Sequence, residues 1–119
     1  MLESMKELTR IMAAAIDCPL TANRTQHMGE CAVYDAYSTG WDGIKRSLML
    51  KVNIFAFTME RALELQEKLE RALVTFGDRP LTENILSCRQ NGGGWIMDGE
   101  RHCRITYFEL TIKDINTKE

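Results

Sequence analysis

The sequence predicts one α+β domain over residues 1–119, with a mainly antiparallel sheet covered by two helices. Apolar residues recur at helical spacings near the amino terminus and again after residue 58. They alternate strictly along residues 46–58 and 103–112, which is typical of strands with one buried face. The strands follow one another in runs with glycine turns between them, which favours antiparallel pairing. The predicted order is helix, strand, strand, helix, strand, short strand, strand.

Composition excludes several classes of protein. Hydrophobic residues make up 45% of the 119 residues, as in ordinary globular domains, so a disordered chain is not expected. A net charge of −2 argues against sequence-specific nucleic-acid binding, which usually relies on a basic stripe. No apolar run approaches the roughly 20 residues that cross a bilayer, and the first 16 residues carry charges throughout, unlike a signal peptide. We therefore expect a cytoplasmic protein that does not enter a membrane.

The first half of the chain predicts a helix and two strands. The helix ends before Pro19, since the residue preceding a proline leaves helical geometry, and residues 19–30 are predicted to be a polar connection. A short strand at 31–38 is followed by the turn sequence TGWDGI and by the long strand 46–58. The even-numbered residues of the long strand are apolar and predict a core face, whereas the odd-numbered ones are mixed. The helical stripe comprises Leu2, Met5, Leu8, Met12 and Ile16.

The long strand is predicted to enter a second helix without a loop. Thr58 suits the N-cap position, because its hydroxyl can accept a hydrogen bond from a free amide of the first turn. The apolar stripe of this helix extends to Phe76, and Gly77 is a natural residue to follow the helix end. In the last third, residues 91–94 (NGGG) predict one turn and Asp98-Gly99 a second. The tail 113–119 is polar and is expected to fray.

No catalytic or cofactor-binding group is recognisable, so we expect a protein that is not an enzyme. The glycine run lacks the lysine of a phosphate-binding loop. The four cysteines are expected to be reduced core residues. A zinc site could be built from His27, Cys31, His102 and Cys103, but adjacent residues of a strand point to opposite faces, so no metal site is predicted.

The order of these segments resembles a family of phage proteins. A helix leads through a polar linker to a short strand, then through STGWDGIKR to a long strand that runs directly into TMERALELQEKLERAL. A late hairpin ends in RITYFELTIKD. This layout, over about residues 1–113, resembles the tail terminator or tail completion proteins of long-tailed phages and prophages, including minor tail and minor capsid proteins of similar size.

The resemblance implies a structural role in the virion, with assembly in the cytoplasm of a bacterial host. Such proteins close the tail tube as a ring, usually of six copies, and present the surface to which the head–tail connector docks. The implied partners are further copies of the chain, the tail tube protein and the connector, and no cofactor is implied. Ring subunits need a heterologous contact of fixed angle, so that the ring closes instead of growing as a filament.

The connection STGWDGIKR is predicted to project against a neighbouring subunit. Trp41 could anchor this contact, because tryptophan is enriched at interface hot spots, while the nearby charges would set the register. The odd face of the long strand would supply the receiving surface, and Trp95 is favoured as a core residue. The predicted interface residues are Trp41, Asp42, Lys45, Arg46, Phe55 and Phe57.

Two other functions remain open from the sequence. One is a small-ligand or regulatory module on a ferredoxin-like α+β sheet, which a defined pocket would favour. The other is a head–tail adaptor or neck protein of the same phage assembly. Fold alone does not choose among these three, since one fold can carry many functions.

Overall fold

The computed structural model describes residues 1–24 and 26–115 and confirms the predicted α+β architecture. Residues 116–119, most of the predicted polar tail, lie outside the described part. The described elements follow the order α-β-β-β-α-β-β, close to the predicted one. They are α1 (Leu2–Ala15), β1 (Leu20–Ala22), β2 (Cys31–Trp41), β3 (Lys45–Ala56), α2 (Met59–Leu73), β4 (Ile85–Asp98) and β5 (Arg101–Lys113).

The five strands form one sheet in the order β1-β2-β3-β5-β4. All neighbours pair antiparallel except β1, which runs parallel to β2. β1 lies in the segment 19–30 that was predicted to be a polar connection, so that prediction is wrong for three residues. The amide of Ala32 donates to the carbonyl of Pro19, and the amide of Asn23 donates to that of Tyr34. These bonds satisfy part of the β2 edge, which explains the extra strand.

Both helices pack on the face formed by the even-numbered residues of β3. These residues are all buried, as their alternation predicted: Leu48, Leu50, Val52, Ile54 and Ala56. α1 contributes Leu8 and Met12 to this core, and α2 contributes Leu65, Leu69 and Leu73. The opposite face of the sheet carries the odd-numbered residues of β3, which are only partly buried. It has no helix over it among the described residues.

The direct joint between β3 and α2 is confirmed, but α2 ends earlier than predicted. Thr58 has extended backbone angles, and its Oγ1 accepts a hydrogen bond from the amide of Arg61 at 3.1 Å. The helix ends at Leu73 and not near Phe76, which is exposed. The amide of Thr75 donates to the carbonyl of Cys88, so the chain leaves the helix in order to pair with β4.

β4 is one continuous strand, so the predicted turn at residues 91–94 is wrong. The hairpin turns only after Asp98, and β4 pairs with β5 from Ile85 to Asp98. The glycine run forms a bulge where the pairing register shifts between Gln90 and Gly93, which explains why two strands replace the predicted three. A side chain at Gly93 would collide with the carbonyl oxygen of Ile105, so glycine is required for this close approach.

The molecule is elongated, with dimensions of 53 × 29 × 23 Å. The hairpin joining β2 to β3 lies at one end of the sheet, and we call residues 41–46 the β2–β3 tip. The hairpin joining β4 to β5 lies at the opposite end, and we call residues 98–101 the β4–β5 tip. This placement follows from the pairing register, because Lys45 lies opposite Lys113 while Ala56 lies opposite His102.

Candidate assembly surfaces

The β2–β3 tip is shaped by a carboxylate. Asp42 Oδ1 accepts hydrogen bonds from the amide of Lys45 at 2.7 Å and from the amide of Ile44 at 2.8 Å. These two bonds hold the pKa of Asp42 below its ordinary value of 3.8. Asp42, predicted to be an interface charge, therefore fixes the turn of its own chain. Lys45 and Ile44 are exposed at the tip.

Trp41 is partly exposed and partly held within the chain. Its ring is 46% exposed, while its Nε1 donates to the carbonyl of Asp114 at 2.7 Å. The Arg46 guanidinium lies over the ring at 4.7 Å from its centroid and also pairs with Asp114 Oδ2 at 2.6 Å. The hydrogen bond from Arg46 is the main cause that lowers the pKa of Asp114. Arg46 and Trp41 thus form one cluster with the segment after β5.

Phe55 and Phe57 lie far from this cluster. Phe55 sits between Cys31 and Cys103 on the helix-free face, with the Arg101 guanidinium 4.5 Å from its ring centroid. Phe57 is exposed beyond the end of β3. The nine residue steps from position 46 to position 55 span about 30 Å of strand. The six predicted interface residues therefore occupy opposite ends of the sheet, and only a second copy could bring the two groups into contact.

The distal half of β4 exposes an apolar surface that the sequence analysis did not select. Trp95, Ile96 and Met97 are 37%, 53% and 58% exposed. Trp95 was favoured as a core residue, but it lies outside the core, with the Arg104 guanidinium 5.1 Å from its ring centroid. Three consecutive apolar residues before a turn were the available signal. Since their side chains alternate, such a run on an outermost strand exposes apolar groups on both faces.

A groove of about 570 Å³ opens at the other side of the sheet, between α1 and the exposed edge of β2. Its wall is closed by a hydrogen bond of 3.0 Å between the hydroxyls of Thr9 and Tyr34. Lys6 and Arg10 stand at its rim and are exposed. The residues around the groove are Met1, Met5, Lys6, Thr9, Arg10, Ala13, Ala22, Asn23, Tyr34, Asp35 and Ala36.

Arg61 and Arg101 tie the loops of the β4–β5 end together. Arg61 pairs with Glu30 at 2.8 Å and with Asp17 at 2.6 Å, and these bonds raise the pKa of Arg61 while lowering that of Asp17. The buried Arg101 donates to the carbonyls of His27 and Gly29 at 2.8 and 2.9 Å. These contacts anchor α2, the segment before β2 and the β4–β5 tip to one another.

The cysteines and histidines form no recognisable reaction centre in the described part of the chain. No three His, Cys, Asp or Glu residues among residues 1–24 and 26–115 could together hold a metal ion. His102 lies opposite Ala56 of the core face and Cys103 opposite Phe55 of the other face. Burial raises the pKa of Cys88 to about 12 and that of Cys103 to about 11. Among the described residues, no helix is long and apolar enough to cross a bilayer.

Comparison with known proteins gives a similarity of fold. No protein-family model matches the sequence, and no curated protein matches it. Among solved structures, the fold is similar to that of a chain in the virion of a native gene transfer agent particle. The similarity has a TM-score of 0.62 and covers 92% of this chain and 91% of the other, at 10% sequence identity. The two chains therefore share a fold over nearly their whole length.

Proposed function

We propose that this chain is a structural protein of a phage-like virion. The observation that carries the proposal is the fold shared with a virion chain over nearly the full length of both. The sequence layout independently resembles proteins of phage tails, which supports the same class. The location that follows is the virion, after assembly in the cytoplasm of a bacterial host, and the role needs neither catalysis nor a cofactor.

Within the virion, we propose the role of a tail terminator. A ring of copies, six by the resemblance, would close the tail tube and offer its free face to the head–tail connector. An elongated subunit with chemically different edges suits such a ring, because a heterologous contact can close only between unlike surfaces. The net charge of −2 suits a passage for DNA that should not hold phosphates. A head–tail adaptor or neck protein would act at the same place and is the nearest alternative.

The contact predicted from the sequence is part of this proposal. The β2–β3 tip would reach the neighbouring copy with the exposed Trp41 and Ile44, and Phe57 at the opposite end would receive it. Because Asp42 and Arg46 are already bonded within the chain, apolar burial must supply most of the binding energy of this contact.

A small-ligand module is the second candidate, since the groove under α1 lies within the ~300–1,000 Å³ range of ligand pockets. Screening a metabolite library by thermal shift tests this function. A ligand that stabilises wild type, but not a variant whose groove is filled by Ala13→Trp, would favour it over the tail role.

The tail role is tested by particle mass and electron microscopy. We expect native mass spectrometry to show monomers at low concentration and a closed ring at high concentration. We also expect isolated tail tubes to carry one ring at the end that meets the head. Particles that stay monomeric at every concentration and do not attach to tails would refute the tail-terminator role.

A further inference from the structure

The distal half of β4 is an uncovered sheet edge. β4 is the outermost strand, and Thr75, Leu81 and Thr82 donate to its carbonyls only at Ile85 and Cys88. Past Cys88, β4 makes no backbone hydrogen bond on its outer side with another segment of the described chain. Natural proteins avoid long apolar edges or cover them, because such edges pair with other strands. An edge with three exposed apolar residues therefore calls for a partner strand.

The pairing register shows which groups of β4 face outward. Opposite residues of antiparallel strands alternate between exchanging hydrogen bonds and pointing away from each other. Cys88 bonds outward to Thr75 and lies opposite Leu110, so the residues opposite Thr106 and Arg104 also point outward. These residues are Gly93 and Trp95. Their side is the helix side of the sheet, because Arg104 donates a hydrogen bond to Gln66 of α2.

The opposite edge of the sheet offers matching groups. β1 covers β2 only as far as Tyr34, whose carbonyl accepts from Asn23, so Tyr34 faces this edge. Two residues further along, Ala36 faces the same way, and beyond it no described strand lies against β2. Tyr34 and Ala36 also line the groove under α1, so their side chains lie on the helix side, like that of Trp95.

From these two edges we infer that β4 of one copy adds to the free edge of β2 in the next copy. The strands reverse direction at each step from β2 through β3 and β5 to β4, so β4 runs antiparallel to β2. Two copies related by rotation about an axis along the strands thus join antiparallel, with their helices on the same side. The contact is heterologous, as a ring requires.

The groove under α1 is the site that receives the side chains of this strand. Once β4 lies along β2 of the next copy, Trp95 and Met97 point to the helix side, where the groove opens between α1 and the β2 edge. Ala13 and Ala36 leave the space that a large side chain needs. The exposed Asp98 and Glu100 at the β4–β5 tip complement Lys6 and Arg10 at the groove rim. Backbone pairing provides affinity, and the groove provides specificity.

This inference rests on the proposed ring and names its subunit contact. It differs from the contact at the β2–β3 tip, because it uses the long sides of the molecule instead of its ends. The two contacts respond to different substitutions, so each can fail without the other.

The groove and the edge are tested separately, in the full-length chain. Ala13→Trp fills the groove from within, and the control Ala14→Trp adds the same side chain at the neighbouring exposed position outside the groove. Met97→Pro removes an outward amide from the edge, and Trp95→Ala removes the inserted ring without altering the backbone. We expect Ala13→Trp, Met97→Pro and Trp95→Ala to raise the assembly concentration at least about tenfold, and Ala14→Trp to leave it unchanged.

Mixing the two blocked variants distinguishes a head-to-tail contact from a symmetric one. Ala13→Trp keeps a functional β4 edge and Met97→Pro keeps a functional groove, so an equal mixture should form a heterodimer that cannot grow. Rings formed normally by both variants, or a mixture without heterodimers, would overturn the edge contact and leave the tail-terminator role intact. A wild-type chain that forms no ring, even on tail tubes, would overturn both.

Discussion

At the scale of single residues, one hydroxyl takes the place of a loop. Thr58 ends β3 in an extended conformation, and its Oγ1 bonds to the third amide that follows, which starts α2 at once. Glu60 in the first helical turn adds a favourable charge at the positive end of the helix dipole. The signal for this joint is entirely local, so the sequence was sufficient to predict it.

Replacing this cap should destabilise the whole domain. Thr58→Ala is expected to lower the free energy of unfolding by about 0.5–2 kcal/mol, because one amide at the helix start loses its partner. Thr58→Ser keeps the hydroxyl and should stay close to wild type. Urea unfolding curves measure both, and equal midpoints for Ala and Ser would show that the cap contributes nothing.

Asp114 predicts a pH dependence of stability. Arg46 holds its folded-state pKa below the ordinary value of 3.8, so its contribution is present above that pH and is lost as the pH falls through the lowered value. Asp114→Asn should therefore lower the urea midpoint at pH 7 more than at pH 3. Arg46→Gln removes the same ion pair and should reproduce this pattern. An equal loss at both pH values would assign the effect to packing.

At the scale of elements, local chemistry predicted strand and helix types better than their limits. The strict alternation in β3 and its N-capped helix depend on near neighbours and were predicted correctly. The end of α2 and the course of β4 depend on pairing with segments distant in sequence. Turn and bulge use the same glycine chemistry, so only the partner strand β5 reveals that residues 91–94 form a bulge. β1 was missed because its three residues are too short to show a period.

The bulge gives a prediction with a closely matched control. Gly93→Ala should destabilise the domain by about 1–3 kcal/mol, because the added methyl group meets the backbone of Ile105 and forces β4 away from β5. Gly94→Ala has open space around the same atom and should change stability much less. Thermal unfolding of the two variants measures the difference. A smaller loss for Gly93→Ala than for Gly94→Ala would contradict the close approach.

At the scale of the whole molecule, the sequence identified exposed groups but not how they are arranged. The exposure of Trp41 and Phe57 follows from their place at strand ends and turns. Their separation along β3 does not follow from it, since composition carries no information on which ends of a sheet coincide. The edge of β4 was missed for a similar reason, because the outermost strand is known only once the order β3-β5-β4 is known.

Trp41 tests the contact at the β2–β3 tip. Trp41→Ala should impair ring formation, because it removes an exposed indole and loosens Arg46, while the fold should stay near wild type. Phe76→Ala removes a more exposed ring from the opposite end of α2 and serves as the matched control. Native mass spectrometry at matched concentrations compares the two. An unchanged ring in Trp41→Ala would show that the tip does not contribute to subunit association.

The strand order also determines when the protein can fold during its synthesis. The central strand β3 needs β5 as its second partner, but α2 and β4 are made between them. Until β5 leaves the ribosome, β3 is therefore a sheet edge itself, and Leu50 and Ile54 lack the strand that completes their core. Nascent chains with such an edge are prone to pair with one another before they are complete. Ribosome-associated chaperones thus have a specific segment of this protein to shield, and folding is completed only when the C-terminal strand is released.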